Sequence, residues 1–275
     1  MRTLRIGISP CPNDTFAFAA LMEGHVQVDG VRLEFELHDV QELNERVLAG
    51  GFDVAKVSFH AALLAAQDLW ILPSGSALGF GVGPLLLAAH GRADVPEPRV
   101  LTPGATTTAT LLWELFHGER AAPQQVVFSE IMPALARGEA DLGVCIHEGR
   151  FTWESSGLDY VEDLGERWER ETGQPLPLGG IAARRSLPRE LVGAFQAALA
   201  ESIRWAWGHR EECLPILRRH AQELEEDVLW SHVELYVNDW TQELGEVGRT
   251  ALAALSDRAA RAGRLRSPAP LEVFE

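Results

Sequence analysis

Through the first two-thirds of the chain, short apolar runs alternate with stretches of helical periodicity. The run at 4–9 predicts a buried strand, 15–23 a helix, 31–38 a strand with alternating faces, and 40–49 a second helix. Residues 53–57 follow as a short strand and 58–66 as a helix, with Ser58 its expected N-cap because a hydroxyl there can accept from first-turn amides. Two more strands are predicted at 69–72 and 83–89. The proline- and charge-rich break at 91–98 suits a crossover into a second lobe. In that lobe, strands at 99–102, 125–128 and 141–146 alternate with helices at 107–116 and 130–137, and the chain returns through 158–168 to 174–184. Beyond Ser186 the pattern is almost wholly helical, at 188–208, 211–220, 225–244 and 246–262. Alternating strands and helices imply an α/β protein. The expected division is a larger lobe of 1–90 plus 185–275, carrying the C-terminal helices, and a smaller lobe of 91–184.

Charge narrows the partners. Forty acidic residues against 24 basic ones give a formal net charge of −16, which repels nucleic-acid backbones and anionic lipid. An anionic small molecule remains compatible if its donors are gathered inside a cleft. Of the 24 basic residues, 23 are arginine and one is lysine, Lys56. A lone lysine marks either a drifted surface position or a place where a compact ammonium cannot be exchanged for a planar fork. The cysteines, Cys11, Cys145 and Cys213, lack metal-site or redox spacing, so neither zinc nor a disulfide is expected. The start of the chain lacks an export-signal pattern and no apolar run approaches about 18 residues, so a cytoplasmic protein without membrane contact is expected. A homo-oligomer is compatible with the pattern.

Candidate chemistry collects at strand-to-helix junctions, where open α/β sheets bind ligands. Ser9-Pro10-Cys11-Pro12-Asn13-Asp14-Thr15 is one such loop, and its polar residues serve either a helix cap or a ligand. Lys56 and Ser58 lie two apart in extended chain and point the same way, so both can reach one anion. His60, inside the next helix, suits a structural imidazole better. Gly104-Ala105-Thr106-Thr107-Thr108 enters a helix whose N-terminal amides favour an anion, and it lacks the lysine of a nucleotide P-loop. Ala105 leaves open which of the three threonines meet a ligand. His147 ends a strand, where an imidazole can act as general base near neutral pH. Its neighbour Glu148 would face the other way, and Cys145 suits a small buried hydrophobe. The aromatics Trp205, Trp207, Trp230, Tyr236 and Trp240 have the spacing of a core seam.

Together these segments resemble a menaquinone-biosynthesis family of the futalosine route, related to the chorismate dehydratases. The resemblance rests on residues 9–16, Lys56-Val57-Ser58, the Gly-x-Thr-Thr-Thr-Ala stretch ending at Ala109, Ile146-His147-Glu148, His232 and Tyr236-Val237-Asn238, and it spans essentially the whole chain. It implies a two-lobed fold like type II periplasmic-binding proteins, with a ligand cleft between the lobes. It also implies a carbon–carbon lyase that converts cyclic dehypoxanthinyl futalosine to 1,4-dihydroxy-6-naphthoate without a redox or metal cofactor. His147 is then the general base, Lys56, Ser58, Thr107 and Thr108 hold the substrate carboxylate and hydroxyls, and Asn13 and Asp14 line the same cleft. The alternatives are a chorismate-dehydratase-like enzyme and a cytoplasmic small-anion-binding protein.

Overall fold

The computed structural model describes residues 2–147, 149–221, 225–265 and 269–275, so Glu148 lies outside the described residues. Among the described residues, eleven strands, β1 (Arg2–Ile8), β2 (Val31–Leu37), β3 (Val54–Ser58), β4 (Leu69–Ile71), β5 (Ala77–Gly79), β6 (Leu85–Ala88), β7 (Val100–Thr102), β8 (Gln124–Gln125), β9 (Leu142–Cys145), β10 (Asp159–Asp163) and β11 (Leu176–Arg184), divide between two sheets. The first sheet has the order β2-β1-β3-β11-β4, with β5 also on β11. β1 runs parallel to β2 and β3, while β11 runs antiparallel to β3, β4 and β5. Residues near the C-terminus extend this sheet: Ile71 donates to the Glu272 carbonyl and its own carbonyl accepts from Phe274. The second sheet has the order β10-β6-β9-β7-β8.

Two sheets of mixed direction, each covered by helices, make the expected two-lobed α/β architecture. Their membership moves the expected lobe boundaries. β6 pairs with β9 and β10, so the first crossover precedes Leu85 rather than following residue 90. β11 pairs with β3, so the return precedes Leu176 rather than residue 185. Both strands are continuous apolar runs, and nothing in such a run states which sheet will bury it.

Several helices also differ from expectation. The predicted 15–23 helix begins at Pro12, whose fixed φ suits a first helical turn, and divides at Phe18 into Pro12–Ala17 and Ala19–Met22. Asn13, Asp14 and Thr15 are therefore inside the first turn and free of capping duty. The 225–244 prediction divides into Glu226–Tyr236 and Asp239–Gln242, because Val237 is extended and Asn238 starts a new capping box with Thr241. The 125–128 strand shortens to β8, and Phe128 opens the helix Phe128–Ala136. Ser58 does precede the helix Phe59–Leu64, yet its side chain makes no cap bond.

The cores join the lobes. One apolar cluster runs from Val57, Ile71 and Leu78 of the first sheet to Leu86, Leu142 and Val144 of the second, through Leu111, Leu112 and Trp113 of helix Thr108–His117 and Trp168 of helix Leu164–Thr172. A second packs Ile6, Phe16, Phe18 and Ile181 under the C-terminal helices, where Trp207 and Trp230 meet Phe16 edge-on at 4.9 and 6.1 Å. Among the described residues, no helix is long and apolar enough to cross a membrane.

At the first crossover, Gly83 and Gly165 touch backbone to backbone. A Cβ on Gly83 would lie 2.3 Å from the Gly165 Cα, where no flexible side chain can give way. Gly83→Ala is expected to cost about 1–3 kcal/mol through overpacking, read as a lower urea midpoint at unchanged m-value.

Candidate functional site

β1, β3 and β9 end at one cleft. It holds about 690 Å³ of space, part of it open to solvent. Ser9, Asn13, Asp14, Lys56, Ser58, Thr107, Thr108, His147, His232 and Tyr236 line it, so all seven residues nominated from sequence converge here.

Asp14 organises the floor. Its Oδ1 accepts from Lys56 Nζ at 2.5 Å and from Asn13 Nδ2 at 2.9 Å, and its Oδ2 accepts from the Ser9 hydroxyl at 2.7 Å. The ion pair is buried, with Lys56 and Asp14 side chains 9% and 4% exposed. Lys56 is therefore not a lone cation awaiting an anion, because a carboxylate already balances it. The Lys56 stem packs close to Gly179 of the adjacent β11, where a Cβ would lie 3.5 Å from the Lys56 Cε.

Ser58 is held by Asn44, whose Oδ1 accepts from the Ser58 amide at 2.9 Å and whose Nδ2 donates to the Ser58 hydroxyl at 3.0 Å. The same Nδ2 reaches the Thr106 carbonyl at 3.3 Å and so ties the first sheet to the threonine turn. Thr107 caps helix Thr108–His117, accepting from the Thr110 amide, while its hydroxyl donates to the Gly104 carbonyl at 2.9 Å. Thr108 donates its hydroxyl hydrogen to the Leu178 carbonyl at 2.6 Å. Both hydroxyl hydrogens are thus committed within the protein, and the anion-favouring element here is the helix start itself, with its first-turn amides. Thr106 turns away from the cleft to Gln41 Oε1. His60 is buried behind the turn and donates Nδ1–H to the Thr107 carbonyl at 3.2 Å, a supporting role.

His147 is a non-glycine residue at φ 56°, a left-handed conformation that costs about 1–2 kcal/mol. Arg150, one turn on, anchors the segment by donating to the Gly83 carbonyl at 2.7 Å and pairing with Asp163 at 2.6 Å. The imidazole sits edge to face with Phe128 at 4.8 Å and nearly parallel to His232 at 6.1 Å. Cys11 Sγ lies 3.5 and 3.8 Å from its two ring nitrogens. Cys145, by contrast, is buried beneath the site, and burial pushes its thiol up to about 12, as for an inert hydrophobe. Such a cleft can bind a small anion at the Thr108 helix start and offer an imidazole to a reacting proton.

The chain matches the family described as menaquinone biosynthesis over residues 4–261. The chain belongs to the menaquinone biosynthesis family. Relatives include the 1,4-dihydroxy-6-naphtoate synthases of Thermus thermophilus, 44% identical with all of both chains covered, and of Streptomyces coelicolor, 41% identical over 98% of this chain and 96% of that one. A protein from Archaeoglobus fulgidus has a similar structure, with a TM-score of 0.90 at 31% identity, covering 96% of this chain and 98% of that one. The alkanesulfonate-binding protein SsuA from Xanthomonas axonopodis, bound to MOPS, superposes with a TM-score of 0.75 over 98% and 96% of the two chains. At 13% identity that likeness shows the periplasmic-binding-protein fold alone. The protein is accordingly an enzyme of menaquinone biosynthesis.

Within this family member, sequence reasoning left four residues in or beside the cleft without a role. Ser9 belonged to a nominated loop but was not singled out, and Asn44 sits mid-helix with no motif around it. His232 and Tyr236 lie four apart on one helix and so share a face, with rings 4.7 Å apart. A buried histidine in an otherwise apolar seam was the available signal. The other seam aromatics are packing residues. Trp205 stacks on His25 and His209, and Trp240 meets Phe80.

Asp14→Ala leaves Lys56 buried without its partner and is expected to cost about 3–5 kcal/mol. In chemical denaturation, Asp14→Leu combined with Lys56→Met is expected to be more stable than Asp14→Ala alone. Burial lowers the pKa of His60 and His232 below 6.5, so both are neutral in the fold and gain a proton on unfolding at lower pH. The unfolded chain binds more protons there, so this stability is complete above the unfolded value and is lost as pH falls below it. The urea midpoint is expected to drop between about pH 7.5 and 5.5, and to drop less in His60→Gln.

Proposed function

We propose that this chain is a 1,4-dihydroxy-6-naphthoate synthase, a carbon–carbon lyase that acts on cyclic dehypoxanthinyl futalosine with His147 as general base. The observation that carries this reading is an imidazole held at the mouth of a strand, facing a cleft whose opposite wall is a helix start suited to a carboxylate. The two relatives that share 44% and 41% of their residues with this chain carry that activity in their names.

In this reading the substrate carboxylate docks at the Thr108 helix start, near the Ser58 hydroxyl. The balanced Lys56–Asp14 pair contributes fixed dipoles and donors rather than net charge. Apolar walls from Val40, Val82, Pro84, Ile146 and Leu178 cover the ring system. His147 removes the proton that starts cleavage, and aromatisation of the released ring supplies the driving force. The contacts of the imidazole with Phe128 and His232 limit its rotation, so little reorganisation is needed when the proton transfers. Closure of the lobes on the substrate excludes water, a gating role.

Purified protein incubated with cyclic dehypoxanthinyl futalosine is expected to form the naphthoate, detected by chromatography with mass spectrometry. His147→Ala is expected to lower kcat by about 10²–10⁴-fold while calorimetry still registers substrate binding. Wild-type binding without turnover would make the protein a carrier, and turnover undiminished in His147→Ala would place the base elsewhere.

A further inference from the structure

His232 is fully buried on helix Glu226–Tyr236 and lines the cleft beside His147. Its Nε2 lies 3.0 Å from Asn13 Oδ1. The Asn13 amide has its orientation set by its other end, because Nδ2 donates to Asp14 Oδ1 at 2.9 Å and an ionised carboxylate only accepts. Oδ1 therefore faces His232, and Nε2 must carry the hydrogen. Burial, reinforced by His147 and Lys56 nearby, holds this imidazole well below its ordinary pKa, so the ring is neutral and has one hydrogen. Nδ1 is then a bare lone pair, and no donor among the described residues reaches it. An unsatisfied buried acceptor costs about 1–3 kcal/mol, and in a ligand cleft a donor on the ligand removes that cost.

We propose that Nδ1 of His232 accepts a hydrogen bond from a hydroxyl of the substrate and so sets which end of the molecule enters first. This rests on the lyase reading above. A lone pair fixed in this tautomer attracts O–H and repels a carboxylate, which leaves the anionic end to the Thr108 helix start and Ser58. Asp14 thus acts at a distance: through Asn13 it dictates the hydrogen-bond polarity of His232. The cleft is polarised, with donors at one wall and an obligate acceptor at the other.

Two substitutions divide the two ring nitrogens. Asparagine can place its side-chain oxygen near the position of Nδ1, whereas glutamine can place its amide near Nε2 and keeps the Asn13 contact. His232→Gln is expected to raise KM for cyclic dehypoxanthinyl futalosine about tenfold, the effect of one hydrogen bond of about 1.4 kcal/mol, with its unfolding midpoint close to wild type. His232→Asn is expected to keep KM nearer to wild type although it loses the Asn13 contact. In ¹⁵N-histidine-labelled wild-type protein, Nδ1 of His232 is expected to resonate as an unprotonated nitrogen and to move upfield when substrate is added. A protonated Nδ1, a resonance unmoved at saturating substrate, or a wild-type KM in His232→Gln would overturn the contact while wild-type turnover preserved the lyase reading. Failure of the wild-type protein to bind or turn over this substrate would remove both.

Discussion

The buried contact between Lys56 and Asp14 is the constraint on which the site depends. It joins the helix that follows β1 to β3, the parallel neighbour of β1 in the first sheet, at the point where both strands open into the cleft. A buried pair of charges pays for its desolvation only when the remaining lone pairs and hydrogens also find partners, and here Ser9 and Asn13 complete the carboxylate's set. The requirement propagates outward. Asn13 is oriented by Asp14, His232 is oriented by Asn13, and the imidazole that faces His147, kept neutral by its burial, is thereby held in one tautomer. One carboxylate in the first helical turn sets the polarity of side chains contributed from positions far apart in the chain.

The same arrangement explains how a binding-protein architecture can support chemistry. Relatives in fold such as the alkanesulfonate-binding protein share the two lobes at 13% identity, and fold alone does not decide function. This cleft holds a pair of imidazoles on separate elements, 6.1 Å apart and nearly parallel. His147 reaches that position through a left-handed backbone, a strained conformation that persists because Arg150 ties the following turn to Gly83 and Asp163. The close packing of Gly83 on Gly165 then links the crossover between lobes to the segment that presents His147. The left-handed backbone of His147 and the tight packing of Gly83 on Gly165 are thus parts of one connected unit, joined through Arg150.

The helix start at Thr108 is built in the same indirect way. Thr107 and Thr108 look like donors in the sequence, but the fold commits both hydroxyl hydrogens to carbonyls, and the helix they begin provides the positive end instead. His60 supports that start from behind through the Thr107 carbonyl. In a protein of net charge −16, the cleft thus presents oriented amides and a balanced ion pair and not a surplus of cations.

By itself the sequence determined what depends on neighbours a few positions apart. Alternation and helical periodicity located most of the strands and helices, though not β5, β10 or the helix Leu164–Thr172, and polar residues at strand ends nominated Asn13, Asp14, Lys56, Ser58, Thr107, Thr108 and His147, all of which the cleft brings together. The resemblance of those short motifs to one family matched the family to which the chain belongs. Tertiary structure alone decided which sheet receives β6 and β11, since an apolar run is equally at home in either. It alone paired Lys56 with Asp14 across 42 positions and His232 with Asn13 across 219. It also turned Ser58 from a helix cap into a partner of Asn44. Local patterns record the backbone's hydrogen-bonding needs and the faces it buries, whereas the partner of a buried charge or imidazole depends on which distant segments share its volume, and that is settled only when the chain packs.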